Sequence, residues 1–294
     1  MVGSQAAFTM NDTLVKIATA SLGVGQIMLV RGLFATALVT LLVWRLGHFQ
    51  PLAALRNPAI LARMAGEIGA TTFFLVALAH LPIANVSAVL QALPLAVTMG
   101  AALFFREPVG LRRWLAIIVG FVGVMIIIRP GLDGFNGYSL YVLACVGCCA
   151  VRDLATRTIP ETTPSTFVSL LTALAVTIWG ALLIPATGGW AGLTPSLTLV
   201  LAAAAVLVLI GYQCIIQCMR IGDISFVAPF RYTGLLWAIA SGVLVFATMP
   251  DMTTIIGAAV IIGSGIYTLY RERVAGKTRP ATETSGAGAA ADGI

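Results

Sequence analysis

Charge is what this sequence has least of. Asp, Glu, Lys and Arg make up 10% of its 294 residues, and hydrophobic residues make up 59%. A soluble domain carries about 25% charged residues, so a water-solvated globular fold is excluded and a polytopic membrane protein is expected. Histidine is nearly absent: His48 and His80 fall at opposite membrane ends and cannot share a metal or a catalytic triad. The familiar enzyme motifs are missing too, with no H-E-x-x-H, no G-x-x-x-x-G-K loop and no G-x-S-x-G elbow. No catalytic residue, metal or cofactor is therefore expected. Without a nucleotide-binding loop, any uphill transport must draw on an ion or solute gradient. No basic segment precedes the first apolar run, which argues against a secretory signal peptide. The formal charge of +6 is scattered between apolar runs and forms no aromatic-flanked patch, so nucleic acid is not an expected partner. Cys145, Cys148, Cys149, Cys214 and Cys218 all lie inside apolar runs, without disulfide or zinc spacing, and read as small packing residues.

Long apolar runs are what the chain has in abundance. A spanning helix needs about 20 mostly apolar residues, and ten runs qualify: Val2–Leu22, Gln26–Leu46, Ile60–Leu81, Ile83–Phe105, Leu111–Ile128, Tyr138–Thr158, Thr166–Ile184, Leu197–Cys218, Ile224–Ala247 and Thr253–Tyr270. Short connections with helix breakers separate them, among them Gly23, Pro51, Pro82, Pro108, Pro130, Pro160, Gly222 and Pro250. One alternate set of connections carries Arg45, Arg56, Arg63, Arg106, Arg112, Arg113, Arg157 and Arg220, and the other carries Arg129 alone. Basic loops stay inside, so both termini are expected in the cytoplasm and the protein in the inner membrane. The pattern also repeats. Asp12-x-x-x-Lys16 returns as Asp153-x-x-x-Arg157, Pro94 has a counterpart in Pro229, and the halves end alike at Arg129 and Arg271. Five spans are an odd number, so the second copy is inverted. The expected architecture is all-α, ten transmembrane helices in two inverted repeats, residues 1–130 and 131–272, with a disordered cytoplasmic tail at 273–294.

The ionisable residues inside the runs are Asp12, Lys16, Arg31, Glu67, Arg152, Asp153 and Arg231. A charge at the bilayer centre costs roughly 2.5–3.5 kcal/mol on insertion scales, so each is a functional candidate unless it pairs only to lock packing. Asp12 and Lys16 share a helix face and can pair. Asp12, Glu67 and Arg231 lie deep in their runs and read as cavity residues. Arg31 lies near a helix start and reads equally as an anchor. Arg152, Asp153 and Arg157 lie toward a helix end, where long side chains snorkel, and the structural reading is preferred for them. Pro94 and Pro229 free backbone carbonyls in mid-span, which membranes tolerate where the freed group is satisfied or lines a cavity. Gln91, one turn before Pro94, and Arg231 with Tyr232, just past Pro229, are therefore expected to line one cavity with Asp12 and Glu67. Asp12 or Glu67 is the expected partner of Arg231, and either acid is a candidate for proton coupling.

These stretches together resemble the drug/metabolite transporter superfamily, in its ten-helix EamA-type branch. The likeness runs from about Phe8 to Arg271. It rests on Asn11-Asp12 with Lys16, Gln26 and Arg31, on Leu93-Pro94-Leu95 through Arg106-Glu107-Pro108, on Gly120-x-x-Gly123 to Arg129-Pro130-Gly131, and on Ala228-Pro229-Phe230-Arg231-Tyr232. The first and ninth helices look most like the subgroup of S-adenosylmethionine uptake carriers, and riboflavin transporters belong to the wider family. One departure stands out: relatives usually keep a Glu before the tenth helix, matching Glu107, where this chain has Phe246-Ala247-Thr248-Met249-Pro250. The resemblance implies a secondary transporter working by alternating access on a small-molecule substrate, with the lipid bilayer and a proton or counter-solute as its other partners. Uptake of a vitamin- or nucleoside-like solute of the riboflavin or S-adenosylmethionine type is favoured. Export of amino acids, other metabolites or drugs is the alternative, and a non-transporting scaffold is the remaining class.

Overall fold

The apolar runs fold as helices, and their polar residues turn inward. The computed structural model describes residues 1–107, 109–131, 135–160, 162–221 and 227–274. Pro108, Gly222 and the tail from 275 onward lie outside the described residues. The helices are α1 (Val2–Thr19), α2 (Val24–Leu46), α3 (Pro58–His80), α4 (Ile83–Leu90), α5 (Leu93–Phe104), α6 (Leu111–Ile128), α7 (Ser139–Arg157), α8 (Ser165–Leu183), α9 (Pro195–Ile221), α10 (Thr233–Phe246) and α11 (Met252–Val274). Boundaries follow local chemistry. Asn57 caps α3 by accepting from the Ala59 amide at 2.9 Å, with Pro58 in the first turn. Gly47 ends α2 in the left-handed conformation at φ 66°. The last helix runs past the expected end at Tyr270 to Val274.

Among the described residues, nine helical segments are long and apolar enough to cross a membrane, with α4 and α5 counted as one. The tenth element is α1, whose run is interrupted by Asn11, Asp12 and Lys16. It is held by its neighbours: Ser4, Thr9, Asn11 and Thr13 are buried while Met10 is 61% exposed. The same inversion holds throughout. Trp44, Phe104, Leu182, Leu199 and Leu244 point outward, and Glu67, Arg152, Asp153 and Thr172 point inward. Hydrocarbon solvates the exterior, so the helices gain nothing by hiding apolar surface and associate through close packing and polar contacts.

The strongest helix pairs are α3 with α7, α2 with α8, α6 with α11 and α1 with α9. Each pairs a helix from before residue 130 with one from after it. Small residues make two of these crossings possible. A Cβ on Gly123 would meet the Gly257 carbonyl oxygen at 2.8 Å, and one on Gly180 would meet the Leu29 amide at 2.7 Å.

The fourth and ninth spans depart from a single kinked helix. α4 stops at Leu90, Gln91 and Ala92 form a turn, and α5 begins at Leu93 with Pro94 in its first turn. Pro94 has no N–H for the Leu90 carbonyl and its ring crowds that oxygen, so the helix breaks there. In the ninth span Ala228–Tyr232 form a 3-10 turn around Pro229, and α10 starts at Thr233. Both prolines therefore begin a helix segment.

Candidate functional site

Two polar clusters occupy the interior. The larger joins α3 to α7. Glu67 (0% exposed), Arg152 (0%), Asp153 (1%) and Arg63 (6%) share it. Arg152 bridges both acids, with Nη1 3.3 Å from Glu67 Oε1 and Nε 2.9 Å from Asp153 Oδ1. Arg63 donates to the Thr156 hydroxyl, which donates in turn to the Arg152 carbonyl at 2.7 Å. Helix approach makes room for this: a Cβ on Gly66 would lie 2.9 Å from the Arg152 backbone nitrogen. Arg231, on the 3-10 turn, interacts electrostatically with Asp153. Three guanidinium groups thus accompany two carboxylates, and Asp153 Oδ2 has no hydrogen-bond partner among the described residues.

The smaller cluster joins α1 to α2. Asn11 Nδ2 donates to Asp12 Oδ1 at 2.9 Å, and Arg31 Nη1 donates to Asn11 Oδ1 at 3.3 Å. Arg31 also borders a small cavity with Met28, Gly32 and Ala35 of α2, Ala173 and Val176 of α8, and Ala205 and Val208 of α9. Arg31 is 5% exposed and faces the bundle.

The helix breaks bring further polar groups together. A Cβ built on Gly234 would lie 2.7 Å from Gln5 Oε1 and 3.6 Å from Gln91 Nε2, so α1, the α4–α5 turn and the start of α10 converge. Thr9 Oγ1 reaches the Gly234 carbonyl at 3.5 Å. Tyr232 is 6% exposed, with its hydroxyl against Gly265 of α11 and no hydrogen-bond partner among the described residues.

Two expectations are corrected. Arg152 and Asp153 do not snorkel: α3 covers the end of α7 and buries both. Lys16 does not pair with Asp12. Its Nζ donates to the carbonyl oxygens of Leu78 and Leu81 at 2.6 Å each, because the ammonium satisfies the open C-terminal end of α3. Glu67 pairs with Arg152, and Asp153 attracts Arg231 electrostatically. Gln5, Arg63 and Asp153 join the interior set. Asp153 was legible as the repeat of Asp12 and Arg63 as a basic residue before the third helix, whereas Gln5 carried no signal beyond an amide near a run end.

Apolar helices around buried charge clusters, with two broken spans meeting at polar residues, define a polytopic transporter. The sequence signature of the EamA-like transporter family matches residues 1–129. A riboflavin transporter of Vibrio cholerae is 31% identical over 269 residues, covering 89% of each chain. The chain belongs to the EamA-like transporter family, within the drug/metabolite transporter superfamily. A pseudopaline exporter of Pseudomonas aeruginosa is 27% identical, over 87% of this chain and 89% of its own. An S-adenosylmethionine uptake transporter of Rickettsia bellii is 26% identical over 66% of each chain. A solved structure described as "Crystal structure of protein" superposes with a TM-score of 0.61 at 21% identity, over 93% of this chain and 97% of that chain, and shows the same fold.

Proposed function

We propose that this protein takes up a riboflavin-like solute, neutral and electron-rich, across the bacterial inner membrane by alternating access. The observation that carries this choice is the charge of the larger cluster. Arg63, Arg152 and Arg231 outnumber Glu67 and Asp153, which disfavours a cation such as S-adenosylmethionine and favours a ring with carbonyl acceptors that a guanidinium can stack on and donate to. Gln5 and Gln91 supply the neutral amides that a polyhydroxyl chain needs. The similarity to a riboflavin transporter along 89% of both chains agrees with this reading. Export is the second reading, favoured by the similarity to the pseudopaline exporter.

The reading has further parts. Both termini face the cytoplasm, on the strength of the basic connections. The two halves are inverted repeats, supported by the pairing of every strongest helix contact across residue 130. Asp12, Glu67 and Asp153 are the acids assigned to proton coupling, the last on the ground that its Oδ2 has no hydrogen-bond partner among the described residues. Asp12, Lys16, Arg31, Glu67, Gln91, Pro94, Pro229, Arg231 and Tyr232 remain assigned to substrate binding or coupling. No catalytic step is assigned.

Radiolabelled riboflavin flux into proteoliposomes tests the reading. Saturable flux that excess S-adenosylmethionine leaves unchanged is the expected result. Absence of riboflavin flux in correctly folded protein defeats it, and accumulation of an endogenous metabolite inside a deletion strain moves the choice to export.

A further inference from the structure

One shared register links several positions in the two halves of the chain. The offset that carries Asp12 onto Asp153 and Lys16 onto Arg157 also carries Phe105 onto Phe246 and Glu107 onto Thr248. The backbone keeps the same register. Arg106 and Ala247, each directly after its phenylalanine, both enter the left-handed region, at φ 53° and φ 51°. The following amides, of Glu107 and Thr248, then fold back onto the carbonyl oxygens of Ala101 and Gly242, again one offset apart.

At each place a cation lies over a phenylalanine ring, but only one of the two has a carboxylate after that ring. At the cytoplasmic face Arg157, the last residue of α7, donates to Glu107 Oε1 at 2.6 Å and lies over the Phe105 ring at 5.5 Å. At the outer face Lys16, near the end of α1, lies over the Phe246 ring at 5.6 Å. There, among the described residues, no carboxylate meets it, and the nearby Asp251 pairs with Arg129 instead. Thr248 stands where Glu107 stands, its hydroxyl turned back onto the Gly242 carbonyl at 3.1 Å, and Lys16 is held by the Leu78 and Leu81 carbonyl oxygens. Arg157 thus ties α7 to the end of α5, and Lys16 ties α1 to α3 and α10.

We propose that Arg157 and Lys16 are corresponding latches on opposite gates, and that the gates differ in kind because Thr248 replaces a carboxylate. Opening the inner latch separates an ion pair. Opening the outer latch releases one ammonium from neutral carbonyls and a ring face, and hydration compensates it. The proposal rests on the transporter reading and its orientation. Its test needs no solute, so it succeeds or fails separately from the choice of riboflavin.

Amide hydrogen exchange of protein in lipid nanodiscs reads the two gates independently. Thr248→Glu rebuilds the missing ion pair and is expected to slow exchange in outer peptides around 78–86 and 244–250 by about two- to fivefold, the range for a partly exposed pair. Lys16→Gln is expected to speed the same peptides by a similar factor. Glu107→Gln is expected to speed only inner peptides around 101–107 and 155–159. The proposal is overturned if Thr248→Glu leaves the outer peptides unchanged, or if Glu107→Gln loosens both faces equally. Thr248→Glu is decisive even where Lys16→Gln does not fold, since Thr248 lies in a connection at the edge of the bundle.

Discussion

Arg152 holds two carboxylates on two helices with no exposed surface of its own. Removing one member leaves an uncompensated buried charge, which costs about 3–5 kcal/mol, whereas replacing the whole set with apolar groups is often neutral. Arg152→Met is therefore expected to destabilise strongly, and the double change Arg152→Met, Glu67→Met to recover part of the loss, with Asp153 left to balance Arg63 and Arg231. Thermal unfolding in one detergent checks both. Arg231→Ala is expected to behave differently: Arg231 is half-buried on a 3-10 turn, so riboflavin flux should fall at least about tenfold, the loss of one charge-assisted contact, with little change in unfolding temperature. Asp12→Asn and Asp153→Asn separate coupling from binding. Whichever acid carries the proton, its variant should keep downhill flux and lose the response to an imposed pH gradient, measured with a pH dye inside the liposomes. The identity of these residues was legible because charge is so rare in the runs. Their partners were not. Arg152 and Asp153 looked peripheral along their own helix, and only the packing of α3 across that end reveals their depth.

At the scale of the element, the runs were readable because each apolar stretch is bounded by Gly, Pro or Arg, and Leu111–Ile128 is found as expected to the residue. The broken spans were half readable. A proline in mid-run announces a disturbance, but kink or break depends on whether the next turn can be satisfied elsewhere. Here the segment after Pro94 satisfies itself locally, with Thr98 Oγ1 donating to the Pro94 carbonyl at 2.9 Å. Pro94→Ala supplies an N–H for the Leu90 carbonyl and lets α4 and α5 join, one added backbone hydrogen bond being worth about 0.5–1.5 kcal/mol. The fused α4–α5 rod should unfold at a higher temperature, while the Gln91 amide swings away from Gly234 and flux drops. A variant that is both more stable and equally active would deny the turn any part in binding.

For the whole molecule, the pairings across residue 130 bear on how the chain is made. α3 must wait for α7 before Glu67 meets Arg152, and α2 must wait for α8 before Gly180 receives the backbone around Leu29. Contacts so distant in sequence form late. A ribosome that has finished the first five spans has delivered to the bilayer a set of helices whose polar faces have no protein to meet. Residues 1–130 expressed alone are expected to be degraded, and to be rescued to full-length levels when residues 131–294 are supplied on a second transcript, as read by immunoblot of isolated membranes. Nascent first halves would then depend on an insertase or membrane chaperone that shelters Glu67 and Arg63 until their partners leave the ribosome. Translation speed through the second half, with no change in any amino acid, becomes a determinant of yield.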